Sequence, residues 1–163
     1  MSTRHLILVG LFAAAVAQAV YYYSKLPNPM ASHFGANGAA NGWSSPGQFF
    51  AIILLVEAAC AISFLCTPLF SRLPVSMINM PNKDYWLAPE RREQTMRRFG
   101  DSMLDFGIAT QLMLLYGVQL AIQANLTDPP RLSDNIAWAL AVYGLGTAVW
   151  TIHWMLSYRL PKA

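Results

Sequence analysis

The sequence predicts an all-α membrane protein of four transmembrane helices, with both termini inside, a turn-rich outer loop and a basic cytoplasmic loop. Three observations lead there. First, 55% of the 163 residues are hydrophobic and only 12% are charged, against roughly 25% charged in a typical soluble domain. Second, four apolar windows recur: Leu6 to Tyr23, Gln48 to Thr67, Phe106 to Ala124 and Ile136 to Leu156. Each holds about 18 to 21 residues, enough at about 1.5 Å per residue to cross a hydrocarbon core of roughly 30 Å. Third, the basic residues are shared unevenly between the connections. Arg4, Arg72, Lys83, Arg91, Arg92, Arg97, Arg98, Arg159 and Lys162 fall on one side of this arrangement, and only Lys25 and Arg131 on the other. By the positive-inside rule, the side holding the first group is cytoplasmic.

Helix one is expected over about 6–23. Arg4, an apolar centre and Ala17-Gln18-Ala19 also fit the plan of a secretory leader, but with Met1 at the start of the chain a retained anchor is expected. Gly10 and Ala14 are candidates for close helix approach, as are Ala58, Ala61 and Gly144 elsewhere.

Residues 26–45, LPNPMASHFGANGAANGWSS, are dense in proline, glycine and asparagine and carry Asn-Gly pairs at 37 and 41, which favour tight turns. Met30 to Phe34 reads as a short strand folding back towards Trp43. His33 titrates near neutrality. No second histidine or cysteine shares its side of the bilayer, however, so neither a metal site nor a cofactor is expected there.

Helix two, about 48–67, contains the run AIILLVEAACAIS, residues 51–63. Glu57 falls near the bilayer midplane, where an ionised carboxylate costs roughly 2.5–3.5 kcal/mol on insertion scales. No lysine or arginine lies at matching depth, so a neutral acid hydrogen-bonded to polar neighbours is the expected state. The candidate neighbours are Gln18, Tyr116, Gln119 and Thr147. Cys60 and Cys66 are read as packing residues.

The loop and third helix follow in NMPNKDYWLAPERREQTMRRFGDSM, residues 79–103. Tyr85, Trp86 and Leu87 suit the headgroup level. Pro89 marks a first helical turn with Glu90 at its positive end, so helix three is expected over about 89–124, beginning outside the bilayer. Glu93–Arg97 and Arg97–Asp101 are spaced to pair. Tyr85, Trp86, Arg91 and Arg92 make this face a candidate cytoplasmic interface. Asn125-Leu126-Thr127 matches a glycosylation acceptor. Helix four is expected over about 136–156, with His153 near the depth of His5, a pairing that in principle suits a haem or quinone.

Pro27, Pro29, His33-Phe34, Gly38 and Asn41-Gly42-Trp43, then Asn82-Lys83-Asp84-Tyr85-Trp86 and Pro89-Glu90-Arg91-Arg92, carry a resemblance over about residues 22–98. They resemble the outer and cytoplasmic loops of a bacterial membrane family of unknown function, one branch of which includes the immunity protein against the sporulation-delaying toxin. The resemblance implies a small multi-pass protein of the bacterial inner membrane and supplies no catalytic residues.

The net charge of +3 does not point to nucleic acid, because the basic residues cluster at helix ends, where orientation and anionic lipid account for them. No nucleophile with a base, no paired acids and no metal-ligand spacing is present. The sequence therefore favours a non-enzymatic accessory, immunity or signalling protein acting through a membrane-protein partner or as a homo-oligomer. A small proton- or ion-coupled transporter using Glu57 is the alternative.

Overall fold

A computed structural model describes residues 2–161; Lys162, counted above among the basic residues, lies outside the described residues. The chain forms α1 (Thr3–Tyr23), a hairpin of β1 (Met30–Phe34) and β2 (Ala40–Ser44), α2 (Pro46–Leu65), the short α3 (Lys83–Trp86), α4 (Pro89–Asn125) and α5 (Asn135–Ser157). Two 3₁₀ turns, Thr67–Arg72 and Val75–Met77, connect α2 to α3. Helices α1, α2, α4 and α5 are long and apolar enough to cross a membrane. Their bounds lie within three residues of the helices expected from the sequence, with the start of α4 set by Pro89 and not by its apolar window. Local signals set the starts: Ser45 Oγ accepts from the Gln48 amide at 3.2 Å, and Pro46 and Pro89 occupy first-turn positions that need no amide hydrogen.

Helices α1, α2 and α4 pack pairwise around a common interior, and α5 lies along α4. No residue of α5 is buried. Large apolar side chains point outward instead, Val20, Leu55, Val142 and Leu145 each being at least 70% exposed. That is the surface hydrocarbon requires and water would penalise.

Apolar packing concentrates at the two ends. At the hairpin end, Ala19 of α1, Met30 of β1, Phe49 and Phe50 of α2 and Ile122 of α4 share one cluster. At the opposite end, rich in arginine, Met80, Leu87, Met96 and Tyr158 form a second, with Trp86, Phe99 and Trp154 against it. We call these the hairpin end and the basic end.

The hairpin turns at residues 35–39, where the Gly35 amide bonds the Ala39 carbonyl at 2.8 Å and Gly38 takes φ +75°, a left-handed conformation open to glycine. Asn37-Gly38 is thus a turn. Asn41-Gly42 is not: it lies inside β2, where the register with β1 shifts between Ala31 and Phe34. The second Asn-Gly pair serves a strand irregularity, and a Cβ on Gly42 would come within 2.8 Å of His33 Cβ.

The small-residue reading of helix contacts also changes. Gly10 and Gly144 have nothing within 4 Å of where a Cβ would stand, and Ala14 is exposed. The close approach occurs at Gly107, where a Cβ would fall 2.5 Å from Phe64 Cγ. Of the two spaced ion pairs, Arg97 bonds Glu93 at 2.7 Å, whereas Asp101 turns to Arg4, 3.6 Å away on α1.

Candidate functional site

Within the run AIILLVEAACAIS only Glu57, at 1% exposure, and Ala61, at 5%, are buried. The Phe64 ring rests in the space left by Gly107. The same close crossing of antiparallel helices brings Glu57 to Gln111, one helical turn further along α4. Gln111 Nε2 donates to Glu57 Oε2 at 3.4 Å, near the upper limit for such a bond. Gln111 is fully buried. Among the described residues, Glu57 Oε1 and Gln111 Oε1 have no hydrogen-bond partner. One long bond is little compensation for a charge in hydrocarbon. A carboxylic acid, with one proton to give, matches a neighbour that carries an unpaired acceptor.

The expected polar neighbours do not converge on Glu57. Gln18 Nε2 donates to Gln119 Oε1 at 2.8 Å, and Gln119 Nε2 donates to Tyr22 Oη at 3.3 Å, all on the seam between α1 and α4. Tyr116 and Thr147 line a groove between α4 and α5, and neither hydrogen-bonds Glu57 among the described residues. The seam between α4 and α5 has its own tie, Thr110 Oγ1 to Tyr143 Oη at 2.7 Å. Helix α4 thus presents a different polar residue to each neighbour: Gln111 to α2, Gln119 to α1 and Thr110 to α5. Reading one interior cluster missed this because a helix with partners on three sides has three interior directions, and residues 110, 111 and 119 point to different ones.

At the hairpin end, His33 is exposed and its Nδ1 lies 2.5 Å from Asn41 Oδ1. Phe34 is half-buried, and Trp43, 54% exposed, borders a surface depression with Lys25 and Asp128. The residue holding this cap is Asn125. Its Oδ1 accepts from the Ala31 amide at 2.6 Å, and its Nδ2 donates to the Ala31 and Ala121 carbonyls at 2.8 and 2.9 Å. With Asn125 buried at 5% exposure, the glycosylation match fails, since an acceptor amide must be free and accessible.

At the basic end the candidate interface residues are engaged within the chain. Trp86 Nε1 and Asn82 Nδ2 both donate to the Tyr158 carbonyl, at 2.8 and 2.9 Å. Arg91 donates to the Tyr85 carbonyl at 2.8 Å, with its guanidinium 4.0 Å from the Tyr85 ring centre. Arg92 donates to the Ser71 carbonyl at 3.1 Å and also to that of Leu73. Aromatic rings then run from this loop along the seam of α4 and α5: Trp86 to Tyr158 at 5.8 Å, Tyr158 to Trp154 at 5.1 Å, and Trp150 to Phe106 at 4.9 Å. Burial pushes the Tyr158 hydroxyl above the ordinary tyrosine range, with Arg98 opposing.

The two histidines of similar depth are not joined: His5 Nδ1 meets Ser2 Oγ at 2.7 Å, and His153 is exposed. Among the described residues no group of three or more histidine, cysteine or acidic side chains is placed to hold a metal.

No curated protein and no solved structure matches the chain. A family model does match residues 10–56, and its description is "Domain of unknown function (DUF1648)". That stretch covers most of α1, the hairpin and α2 as far as the residue before Glu57. It includes the outer-loop motif, while the motif at residues 82–92 falls outside it. The region of this chain assigned to a family is therefore the one built from α1, the hairpin and the first half of α2, a domain of unknown function.

Proposed function

We propose that the protein is a non-enzymatic component of the bacterial inner membrane, acting through a membrane-protein partner as an accessory, immunity or signalling subunit, or as a homo-oligomer. In this reading both termini and the loop 66–88 face the cytoplasm, consistent with the uneven share of basic residues. One observation carries the reading: a complete helix, α5, stands outside the three-helix interior with no buried residue, so a large face remains for contact within the bilayer. The polar residues at hand tie helices together, and a nucleophile paired with a base is not among them.

Extraction of the untagged chain in mild detergent, followed by light scattering and mass spectrometry, tests this. A stoichiometric companion or a defined oligomer is expected, and a chain that always runs as a monomer alone overturns it. Reporter fusions after residues 40, 80 and 161 test the orientation: a periplasm-dependent reporter is active only at the first.

The unpaired buried oxygens of Glu57 and Gln111 favour the second reading, a small proton- or ion-coupled transporter. Proteoliposomes separate the two. Glu57→Gln abolishes flux in a transporter and leaves association intact in an accessory subunit.

A further inference from the structure

An open groove of about 940 Å³ lies between α4 and α5. Its walls are mainly apolar, with Phe106, Leu112, Val142, Gly146 and Trp150 among them, and it lies at the depth of the hydrophobic windows. Asp105, one residue before the third window, lines it toward the basic end. Asp105 accepts from Arg4 Nε at 2.6 Å and from Arg4 Nη2 at 3.2 Å, and Arg4 Nη1 also lies 3.6 Å from Asp101. Two carboxylates thus flank one guanidinium beside the mouth of the groove. All three side chains are 40–51% exposed, so a headgroup can reach them.

We propose that this groove holds one acyl chain of an amine-bearing, zwitterionic phospholipid of the phosphatidylethanolamine type. The ammonium lies against Asp105 and Asp101, and the phosphate against Arg4. Length suits a lipid chain: the α5 side of the groove, from Asn135 to Trp150, runs about 22 Å at about 1.5 Å per residue, enough for an acyl chain of one leaflet, whose hydrocarbon is about 15 Å thick. A segment facing hydrocarbon has no water to fill such a space, and an apolar chain fills it without desolvating any polar group. Charge then selects the headgroup. The carboxylates beside Arg4 offer an ammonium and a phosphate one charged partner each, whereas a phosphatidylglycerol brings no cation to the carboxylates.

The test uses the full chain reconstituted in nanodiscs of equimolar dioleoyl phosphatidylethanolamine and dioleoyl phosphatidylglycerol. Native mass spectrometry after mild release reads the lipid retained. One phosphatidylethanolamine per chain is expected, in excess over phosphatidylglycerol. Asp105→Asn, a half-exposed isosteric change, removes that preference while a lipid is still retained. Gly146→Trp fills the groove and abolishes retention, whereas Ala59→Trp, on the exposed face of α2, leaves it intact. Circular dichroism and melting temperature confirm that each variant is folded. Four results overturn the proposal: no retained lipid in the folded wild type, phosphatidylglycerol retained equally or better, a preference unchanged by Asp105→Asn, or a dimer of the chain that excludes lipid and is broken by Gly146→Trp.

Discussion

Glu57 and Gln111 depend on each other more than either contributes alone. Each is at or below 1% exposure, and each is the other's one polar side-chain partner. Removing Gln111 strands a carboxyl group, so Gln111→Leu is expected to destabilise by about 1–3 kcal/mol, while the double change Glu57→Leu with Gln111→Leu recovers most of the loss because no buried group is left unpaired. Unfolding in mixed micelles measures both, and a double variant as unstable as the single would show that the bond is not the reason. Asn125 is the second such residue. Asn125→Ala leaves the buried Ala31 amide and carbonyl without partners. A loss of about 1–3 kcal/mol and fast hydrogen exchange at Ala31 are expected, with exchange at Gly35 and Gly38 in the turn unchanged. Glu57 could be singled out from a single apolar run. Its partner could not: the expected neighbours were Gln18, Tyr116, Gln119 and Thr147, and the rotation of α4 brings Gln111 to Glu57 instead.

At the scale of elements, helix contacts follow where a side chain is missing and not simply where small residues occur. Gly10, Gly107 and Gly144 are all helical glycines, but only at Gly107 does another helix occupy the space, the Phe64 side chain standing 2.5–2.9 Å from a Cβ placed there. Gly107→Ala is expected to force α2 and α4 apart at a cost of about 1–3 kcal/mol, and Phe64→Leu in the same chain to relieve part of it. Gly10→Ala and Gly144→Ala leave stability unchanged or slightly raised, since helix propensity improves with no contact disturbed. Equal losses at all three glycines in a thermal-melt series would refute this assignment. The hairpin shows the same limit of pattern. Both Asn-Gly pairs satisfy turn chemistry, and pairing with β1 places one of them inside a strand.

For the molecule as a whole, the long loop after α2 is tied to the end of the chain at Tyr158, whose carbonyl receives Asn82 and Trp86 and whose ring is 2% exposed. The hydroxyl holds its proton more tightly folded than unfolded. Its contribution to stability is therefore complete below the ordinary tyrosine range near pH 10 and is lost as pH rises through the raised folded value, where the unfolded chain has already released its proton. The melting temperature of the wild type is expected to fall more steeply above about pH 10 than that of Tyr158→Phe. Parallel curves for the two proteins would exclude Tyr158 as the cause.

The amino-acid sequence alone determined the number, length and order of the apolar helices and the start of α4 at Pro89. Those properties follow from local hydrophobicity and first-turn chemistry, which act over a few neighbouring residues. Tertiary structure decided that α5 stands outside the interior, that α4 offers a separate polar tie to each neighbour, and that Asn125 and Tyr158 fasten the two ends. These depend on how each helix is rotated about its axis. A nearly uniform apolar surface leaves that rotation open until Gly107 meets Phe64 and the buried amides find their partners.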